Sequence, residues 1–241
     1  MFTEDVEEVL IRAGFEEDIN GLSHYLSEYD NRYIRITKPQ ETKPKRLLGQ
    51  NGLHYLQLAL HRSKTLLEGS ISSLNSKNGL VGILCTRAHF EVTGSLAYFY
   101  KKLNNFYNGK ITYEQIDDCL HRLTLGSKMN EYGKDLAPIN VISLIEAADD
   151  YFKNKINEKV SMFKESYDFL SEYCHPNFYG ITMGSDINNV GIVRYNNLSI
   201  LKKDDLVFIH YLLMSCISFL QFYDMIYGLL SDNEVLSKII K

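Results

Sequence analysis

The sequence predicts an all-α protein, a helical bundle with long antiparallel helices. Three observations support this fold class: only four prolines occur in 241 residues, apolar residues recur at helical spacing, and hydrophobic residues make up 45% of the chain. Proline breaks helices, so its scarcity favours long ones. A chain of this length and composition is expected to form one large domain, or a main domain with a small appendage.

The first 36 residues predict an acidic helical segment, since they carry nine acidic and three basic residues. Thr3 can cap a first helix, and acidic residues in the first turns suit the helix dipole. Gly14 is expected to end this helix, because glycine is the usual residue just past a helix. A second helix is predicted over residues 16–29.

Residues 37–50 predict a linker, because they contain two prolines and a glycine. The positively charged string at 43–46 is interpreted as a solvated loop within it. We therefore expect residues 1–50 to form an acidic N-terminal helical arm and linker. Residues 51–241 are expected to form the helical bundle domain.

Six helices are predicted in the bundle domain from the spacing of apolar residues. Their approximate bounds are residues 51–74, 80–107, 113–125, 140–152, 155–175 and 206–230. The helix over 80–107 is the most informative, because two of its faces can be distinguished at 100° per residue. The predicted core face contains Val81, Cys85, Ala88, Val92, Leu96, Phe99 and Leu103. The second face contains Arg87, Glu91, Gly94 and Tyr98. A glycine on that face indicates the close approach of another backbone or a ligand.

The region between the last two predicted helices is expected to contain a small β-hairpin near 179–195. It has three glycines, and two short β-prone pieces at 179–183 and 192–195. The weak alternation of these pieces predicts a loose hairpin rather than a larger sheet.

The most apolar stretch of the chain, residues 206–230, is long enough to span a membrane. However, His210, Gln221 and Asp224 interrupt it, and no other segment has the length to span. Polar and charged residues are costly inside a bilayer. A central core helix is therefore the better interpretation, and we expect no membrane partner.

The cysteine pattern and the N-terminus both predict a cytoplasmic protein. Four cysteines are scattered without a C-x-x-C pair, at Cys85, Cys119, Cys174 and Cys216. This pattern favours free thiols in a reducing compartment over disulfides or a zinc site. The acidic N-terminus lacks the basic and apolar regions of a signal peptide. With a net charge of −4, the chain has no strongly basic domain, which argues against tight sequence-independent DNA binding.

The first candidate for chemistry is the pair Arg87 and Glu91, spaced four residues apart on one helix. A guanidinium that is held by a carboxylate is oriented to receive a phosphate or another anion. The structural alternative is an ion pair that fixes the packing of neighbouring helices, since such pairs are common at this spacing. The sequence lacks the standard nucleotide-binding, hydrolase, zinc-protease and calcium-binding motifs, and we expect no cofactor.

The second candidate is the string around His175, at the end of a predicted helix. Histidine titrates near neutral pH and can act as a general acid or base, and Glu172 is placed to orient its ring. Alternatively, His175 caps the negative end of its helix, while Pro176 and Asn177 make the turn. A di-metal site is a third interpretation, with Glu91 or Glu146 as further ligands. Such sites need two Glu-x-x-His pairs and only one is present, so we expect no metal.

These strings together resemble bacterial HEPN-like proteins, a helical superfamily rich in toxin and anti-phage ribonucleases. The resemblance covers about residues 80–180. It is carried by R-A-H-F-E at 87–91 with Gly94, Ala97 and Tyr98, by L-G-S at 125–127, by I-N-V-I-S-L-I-E at 139–146, and by Y-D-F-L-S-E-Y-C-H-P-N at 167–177 with Gly180. It implies an all-helical fold and a metal-independent ribonuclease of the toxin or antiviral defence type.

The sequence departs from the family at one position that matters. Active HEPN ribonucleases carry an arginine four to six residues before the histidine, and residues 169–174 contain none. The resemblance then implies either that Arg87 supplies the cation from another helix, or that the chemistry is lost. In the first case His175 is the general acid or base and Arg87 stabilises the phosphorane. Glu91, Glu172 and Asn177 would be orienting groups.

The alternative function is a non-catalytic helical module that binds a partner protein, or a second copy of itself, through the same face. The missing arginine and the modest charge favour it. HEPN-like domains commonly dimerise near the motif, so a homodimer is expected in either case. A basic surface patch of Arg87, Lys101 and Lys102 would favour RNA as the partner. An exposed apolar groove would favour the interaction module.

Overall fold

The computed structural model describes residues 1–35, 44–129, 136–156, 161–187, 190–195 and 206–231, and these confirm an all-α bundle with one small hairpin. The helices are α1 Glu4–Ala13, α2 Glu16–Asn31, α3 Pro44–Asn75, α4 Gly79–Tyr107, α5 Tyr113–Leu125, α6 Val141–Ile156, α7 Met162–Cys174, α8 Phe178–Thr182 and α9 Phe208–Ser231. The strands are β1 Ser185–Ile187 and β2 Val193–Tyr195.

Helix α4 lies at the centre of the bundle, in contact with α3, α5, α6, α7 and α9. The predicted core face of α4 is confirmed from Val92 to Leu103, whose apolar side chains are buried. It is wrong at its start, where Val81 is exposed. Instead, Ile83 and Phe90 are buried on other sides of the helix. A helix with neighbours on several sides buries more than one stripe, so a single apolar face underestimates its core.

The face of α4 that carries Gly94 packs directly against α6, as the glycine indicated. A Cβ atom at Gly94 would lie 2.9 Å from the backbone carbonyl carbon and oxygen of Leu144. Only glycine permits this approach without moving one of the helices. The close contact sets the separation of α4 and α6 near the candidate site.

The N-terminal helices contribute to the same core as the bundle. Leu22 and Tyr29 on α2 are fully buried, and Gly14 ends α1 in the left-handed conformation, at φ 92°. The linker predicted over 37–50 is shorter than expected, because α3 already begins at Pro44. Proline suits a first helical position, where its missing N–H costs no hydrogen bond. Residue 50, the predicted domain boundary, therefore lies inside a helix, while residues 36–43 lie outside the description.

The boundary between α6 and α7 differs from the prediction. Asn140 does precede α6, and its side chain accepts a hydrogen bond from the Ile142 N–H at 3.0 Å. However, α6 continues to Ile156 and α7 begins only at Met162, so a single helix over 155–175 is wrong. Apolar spacing continues through the connection, and this concealed the break from a periodicity argument.

The predicted hairpin is present, but its first strand begins later than expected. The strands β1 and β2 pair antiparallel, with Asp186 opposite Arg194, while residues 178–182 form the short helix α8 instead of a strand. Asn177 caps α8 by accepting a hydrogen bond from the Gly180 N–H at 3.2 Å. The cap stabilises a helical turn that β-propensity alone does not predict.

Helix α9 packs against α2, α3 and α4, as expected for a core helix. Among the described helices, it is the one that is long and apolar enough to cross a membrane, and half of its apolar window is buried inside the bundle. All four cysteines are free: Cys119 and Cys216 are buried, and Cys85 and Cys174 are half-buried.

Candidate functional site

Arg87 joins α4 to α7 at the centre of the candidate site. Its Nε donates to Ser171 Oγ at 3.0 Å, and its Nη2 donates to the Tyr167 hydroxyl at 2.7 Å. The guanidinium carbon also lies 5.0 Å from the centre of the Tyr167 ring. Tyr167 and Ser171 are one helical turn apart on α7, so one arginine holds two successive turns of the neighbouring helix.

Glu91 completes this arrangement, which we call the Arg87 cluster: Arg87, Glu91, Tyr167 and Ser171. Glu91 Oε1 lies 3.4 Å from Arg87 Nη2 and accepts a hydrogen bond from the Tyr167 hydroxyl at 3.1 Å. All four side chains belong to partly buried or buried residues. The pair is therefore a half-buried ion pair within α4, and its two members contact α7 through Tyr167 and Ser171.

The protonation states within the cluster follow from its charges. Burial on its own lowers the pKa of Arg87, but Tyr167 and Glu91 outweigh it, so that pKa lies above its usual value. Burial, followed by the nearby Glu91 carboxylate, raises the pKa of Tyr167. Tyr167 therefore keeps its proton at neutral pH, which it donates to Glu91 while it accepts from Arg87.

His175 lies at the exposed C-terminal end of α7, where the backbone turns to an extended conformation (φ −95°, ψ 153°). Its side chain makes no hydrogen bond or ion pair with any residue that the structure describes. The imidazole is therefore open to solvent and to a ligand. Glu172 does not orient it: the Glu172 carboxylate instead accepts a hydrogen bond from Asn177 Nδ2 at 2.7 Å.

Asn177 and Gly180 build the turn that follows His175. The Asn177 side chain both donates to Glu172 and caps α8. A Cβ atom at Gly180 would lie only 2.2 Å from the His175 carbonyl oxygen, so glycine alone fits there. Pro176 stops α7 at the same point. The H-P-N-x-x-G part of the string is thus explained by local structure, and these residues fix the position of His175.

The structure brings Arg87 and Glu91 to α7, one turn before His175. Tyr167 and Ser171 lie one turn apart on α7, and His175 follows four residues later, just past the end of the helix. Arg87 bonds Tyr167 and Ser171. No hydrogen bond or ion pair joins Arg87 to His175 in the part of the chain that is described.

Sequence reasoning missed the roles of Tyr167 and Ser171, although both were in the string that carried the resemblance. Ser171 lies four residues and Tyr167 eight residues before His175, and this spacing was a signal for both. Neither residue titrates near neutral pH, so a pattern of acid–base groups does not include them.

Two of the three cations that would form a basic patch are paired with a carboxylate. Lys101 Nζ lies 2.9 Å from an Asp150 oxygen, and Arg87 is paired with Glu91. Lys102 Nζ lies over the Tyr98 ring, 5.3 Å from its centre. The two carboxylates reduce the positive potential that a nucleic-acid backbone would meet. Among the described residues, no group of three or more metal-ligating side chains is placed to hold a metal ion.

A second polar cluster, also missed, lies in the core around His89. Its Nε2 is 2.6 Å from Ser63 Oγ and 3.1 Å from the Tyr29 hydroxyl, and its Nδ1 is 2.7 Å from Ser215 Oγ. Burial lowers the pKa of His89 from 6.5 to about 3. The partners are hydroxyls, which can each donate or accept, so a neutral ring is satisfied in either tautomer.

The His89 cluster connects α2, α3, α4 and α9, and it lies fully inside the protein. It therefore has no access to a ligand and is part of the fold. Comparison with known proteins adds no further assignment: no family model, curated protein or solved structure matches the chain.

Proposed function

We propose that this protein is an HEPN-like helical interaction module that self-associates through the surface at the end of α7. The observation that supports it is a run of exposed apolar side chains directly after His175. We call this the α8 surface: His175, Phe178, Tyr179 and Ile181. Phe178 is 68% exposed and Ile181 is 70% exposed.

Exposed apolar groups in such a run favour burial against another surface. Each large side chain gains roughly 1.5–3 kcal/mol when it moves from water to a packed interface. Scattered apolar residues are common on protein surfaces, but adjacent ones rimmed by polar groups mark interaction sites. The rim here includes Glu172 and Asn177, which already bond one another.

A second copy of the chain is the occupant that we propose. A two-fold contact places the same patch on both sides, so Phe178 and Ile181 would meet apolar side chains rather than charges. The pairing of Arg87 and Lys101 with carboxylates argues against an RNA backbone as the main partner. His175 would then lie at the edge of the interface.

The test is the molar mass of the purified chain by light scattering across a concentration series. The native chain is expected to be dimeric, and Ile181→Glu is expected to be monomeric, because two carboxylates would be buried in a symmetric contact. Val9→Glu is the matched control, since Val9 is an exposed apolar residue on α1. A monomeric native chain at high concentration, or a dimer unaffected by Ile181→Glu, would overturn the proposal.

A metal-independent ribonuclease is the second candidate function, and the exposed His175, directly after the helix that Arg87 contacts, favours it. In this mechanism the exposed His175 transfers the proton, and Arg87 stabilises negative charge on the phosphorane. Glu91 would hold Arg87, while Glu172 and Asn177 would fix the turn that carries His175.

The ribonuclease candidate is tested by RNA cleavage in excess chelator, with labelled single-stranded RNA. His175→Ala is expected to abolish cleavage, and His54→Ala, at an exposed position on α3, is expected to leave it unchanged. Cleavage that survives His175→Ala would eliminate this mechanism. Because the dimer is measured by mass and the nuclease by cleavage, each candidate can fail separately.

A further inference from the structure

A cavity of about 320 Å³ lies between α6, the start of α7 and α9. Most of its lining is apolar: Phe152, Met162, Phe163, Leu213, Met214 and Ile217. It is separate from both the Arg87 cluster and the α8 surface. Cavities of this size, lined by apolar side chains with few polar groups, are typical of small-molecule sites.

Asp149 is the acidic residue of the lining, which also includes the basic residues Lys153 and His210. It lines the cavity although only 4% of its surface is exposed. Its Oδ1 accepts a hydrogen bond from the backbone N–H of Phe163 at 2.9 Å, at the start of α7. No ion pair with a described residue neutralises it.

The second carboxylate oxygen of Asp149 is open to the cavity. Oδ2 has no hydrogen-bond partner among the described residues. In the same residues, every side-chain oxygen that is sealed from solvent has a partner. Oδ2 is therefore accessible to solvent. Because Asp149 is almost entirely covered by protein, the cavity is the route by which Oδ2 can be reached. A carboxylate oxygen in this position favours a donor, and most strongly a charged one.

We propose that this cavity binds a small organic amine, whose ammonium group meets Asp149 and whose apolar body packs against Phe152 and Met214. Aromatic faces and polarisable sulfur atoms are good neighbours for an organic cation. One water molecule takes up roughly 30 Å³ in the liquid, so the cavity has room for about ten groups of that size, which is enough for a small aromatic amine. The proposal is independent of the α8 surface.

Lys153 places a charge of the opposite sign at the same cavity. It lies one turn after Asp149 on α6, also lines the cavity, and makes no ion pair with a described residue. Its ammonium group is therefore not the cation that Asp149 holds. Its positive charge opposes an amine ligand, and it would favour an anion if the cavity were an anion site.

Binding is measured by calorimetric titration of the full chain with 2-phenylethylamine, and in parallel with 2-phenylethanol and 3-phenylpropanoate. The three probes have similar apolar bodies and differ mainly in the charge of the head group. The amine is expected to bind roughly tenfold more tightly than the alcohol, because it adds a charge-assisted hydrogen bond. Tighter binding of the carboxylate, or no binding of the amine, would overturn the proposal.

Three variants assign the binding to this cavity. Asp149→Asn keeps an oxygen that can accept from the Phe163 N–H, so α7 retains its cap. Its affinity for the amine is expected to fall roughly tenfold, with little change for the alcohol. Lys153→Gln is expected to strengthen amine binding, and Ile217→Trp to block all three probes by filling the space. An amine affinity unchanged by Asp149→Asn would show that the proposed contact is not made.

Discussion

The guanidinium of Arg32, the residue directly after α2, meets the carboxylate of Asp224 on α9 through two parallel hydrogen bonds, Nε to Oδ1 and Nη2 to Oδ2, both 2.8 Å long. Glu28 accepts from the remaining Nη1 at 2.8 Å. The contact joins residues that are 192 positions apart in the chain. It therefore fixes the N-terminal helices to the last helix of the bundle.

We expect Arg32→Lys to lower the free energy of unfolding by roughly 0.5–1 kcal/mol. Lysine keeps the charge but cannot make the paired contact, and the exposed side of Asp224 limits the effect. Urea denaturation measures the change. In Asp224→Asn, the same substitution at Arg32 should cost less, because the charged partner is absent; an equal cost in both backgrounds would show that the pair does not couple.

His89 should make the protein less stable in acid. The unfolded chain takes up a proton near the ordinary histidine pKa of 6.5, while the folded chain resists protonation down to about 3. Between about pH 6.5 and pH 3 the unfolded state therefore binds more protons than the folded state. The free energy of unfolding decreases as the pH is lowered, and His89 contributes at most ~1.4 kcal/mol per pH unit to this decrease. Urea denaturation from pH 7 to pH 4 measures the slope.

The control for this effect is His54, a histidine on α3 that is open to water. His89→Asn should flatten the dependence of unfolding free energy on pH, although it lowers stability at pH 7. His54→Asn, at an exposed position, should leave the slope unchanged. If the His89→Asn slope equals the native one, then carboxylates alone cause the acid sensitivity.

We expect Tyr167→Phe to destabilise the protein by roughly 1–2 kcal/mol. The substitution keeps the ring beside Arg87 but removes the hydroxyl that accepts from Arg87 and donates to Glu91. Thermal denaturation monitored by circular dichroism measures the loss. Tyr33→Phe is the matched control, since Tyr33 is exposed and should change stability by less than about 0.5 kcal/mol.

Two glycine substitutions should have opposite signs. Alanine is the better helix former by roughly 0.5–1 kcal/mol, so Gly228→Ala on α9 should stabilise the protein, because nothing lies within 4 Å of the new Cβ atom. Gly94→Ala should destabilise it by roughly 1–3 kcal/mol, since its Cβ atom would lie 2.9 Å from the Leu144 backbone. A stabilising Gly94→Ala would show that α4 and α6 can separate at little cost.

The parts of the fold that local signals determine were predictable from the sequence. Helix α5 runs from Tyr113 to Leu125, as the sequence predicts. Thr112 and Gln115 form a capping box at its start, and Gly126 follows its end. Capping residues and helix-ending glycines act within a few residues of the helix end, so they can be recognised in a single sequence. The gap between α6 and α7 has no comparable proline or glycine signal in the string of apolar residues.

The candidate site was predictable only in part, because its geometry depends on which helices are neighbours. The sequence singled out Arg87 and Glu91 by their spacing on one helix. It gave no indication that Tyr167 and Ser171 would be their partners, since these contacts span more than 70 residues. The same holds for His89, because its hydroxyl partners Ser63 and Ser215 lie on two other helices.

The joining of α2 to α9 also has a consequence for the order of events during synthesis. Tyr29 is synthesised well before Phe219, yet the two rings stack in the core with their centres 5.4 Å apart. The apolar surface of α2 that α9 covers therefore stays exposed until α9 has been made. Contacts of such long sequence separation slow folding.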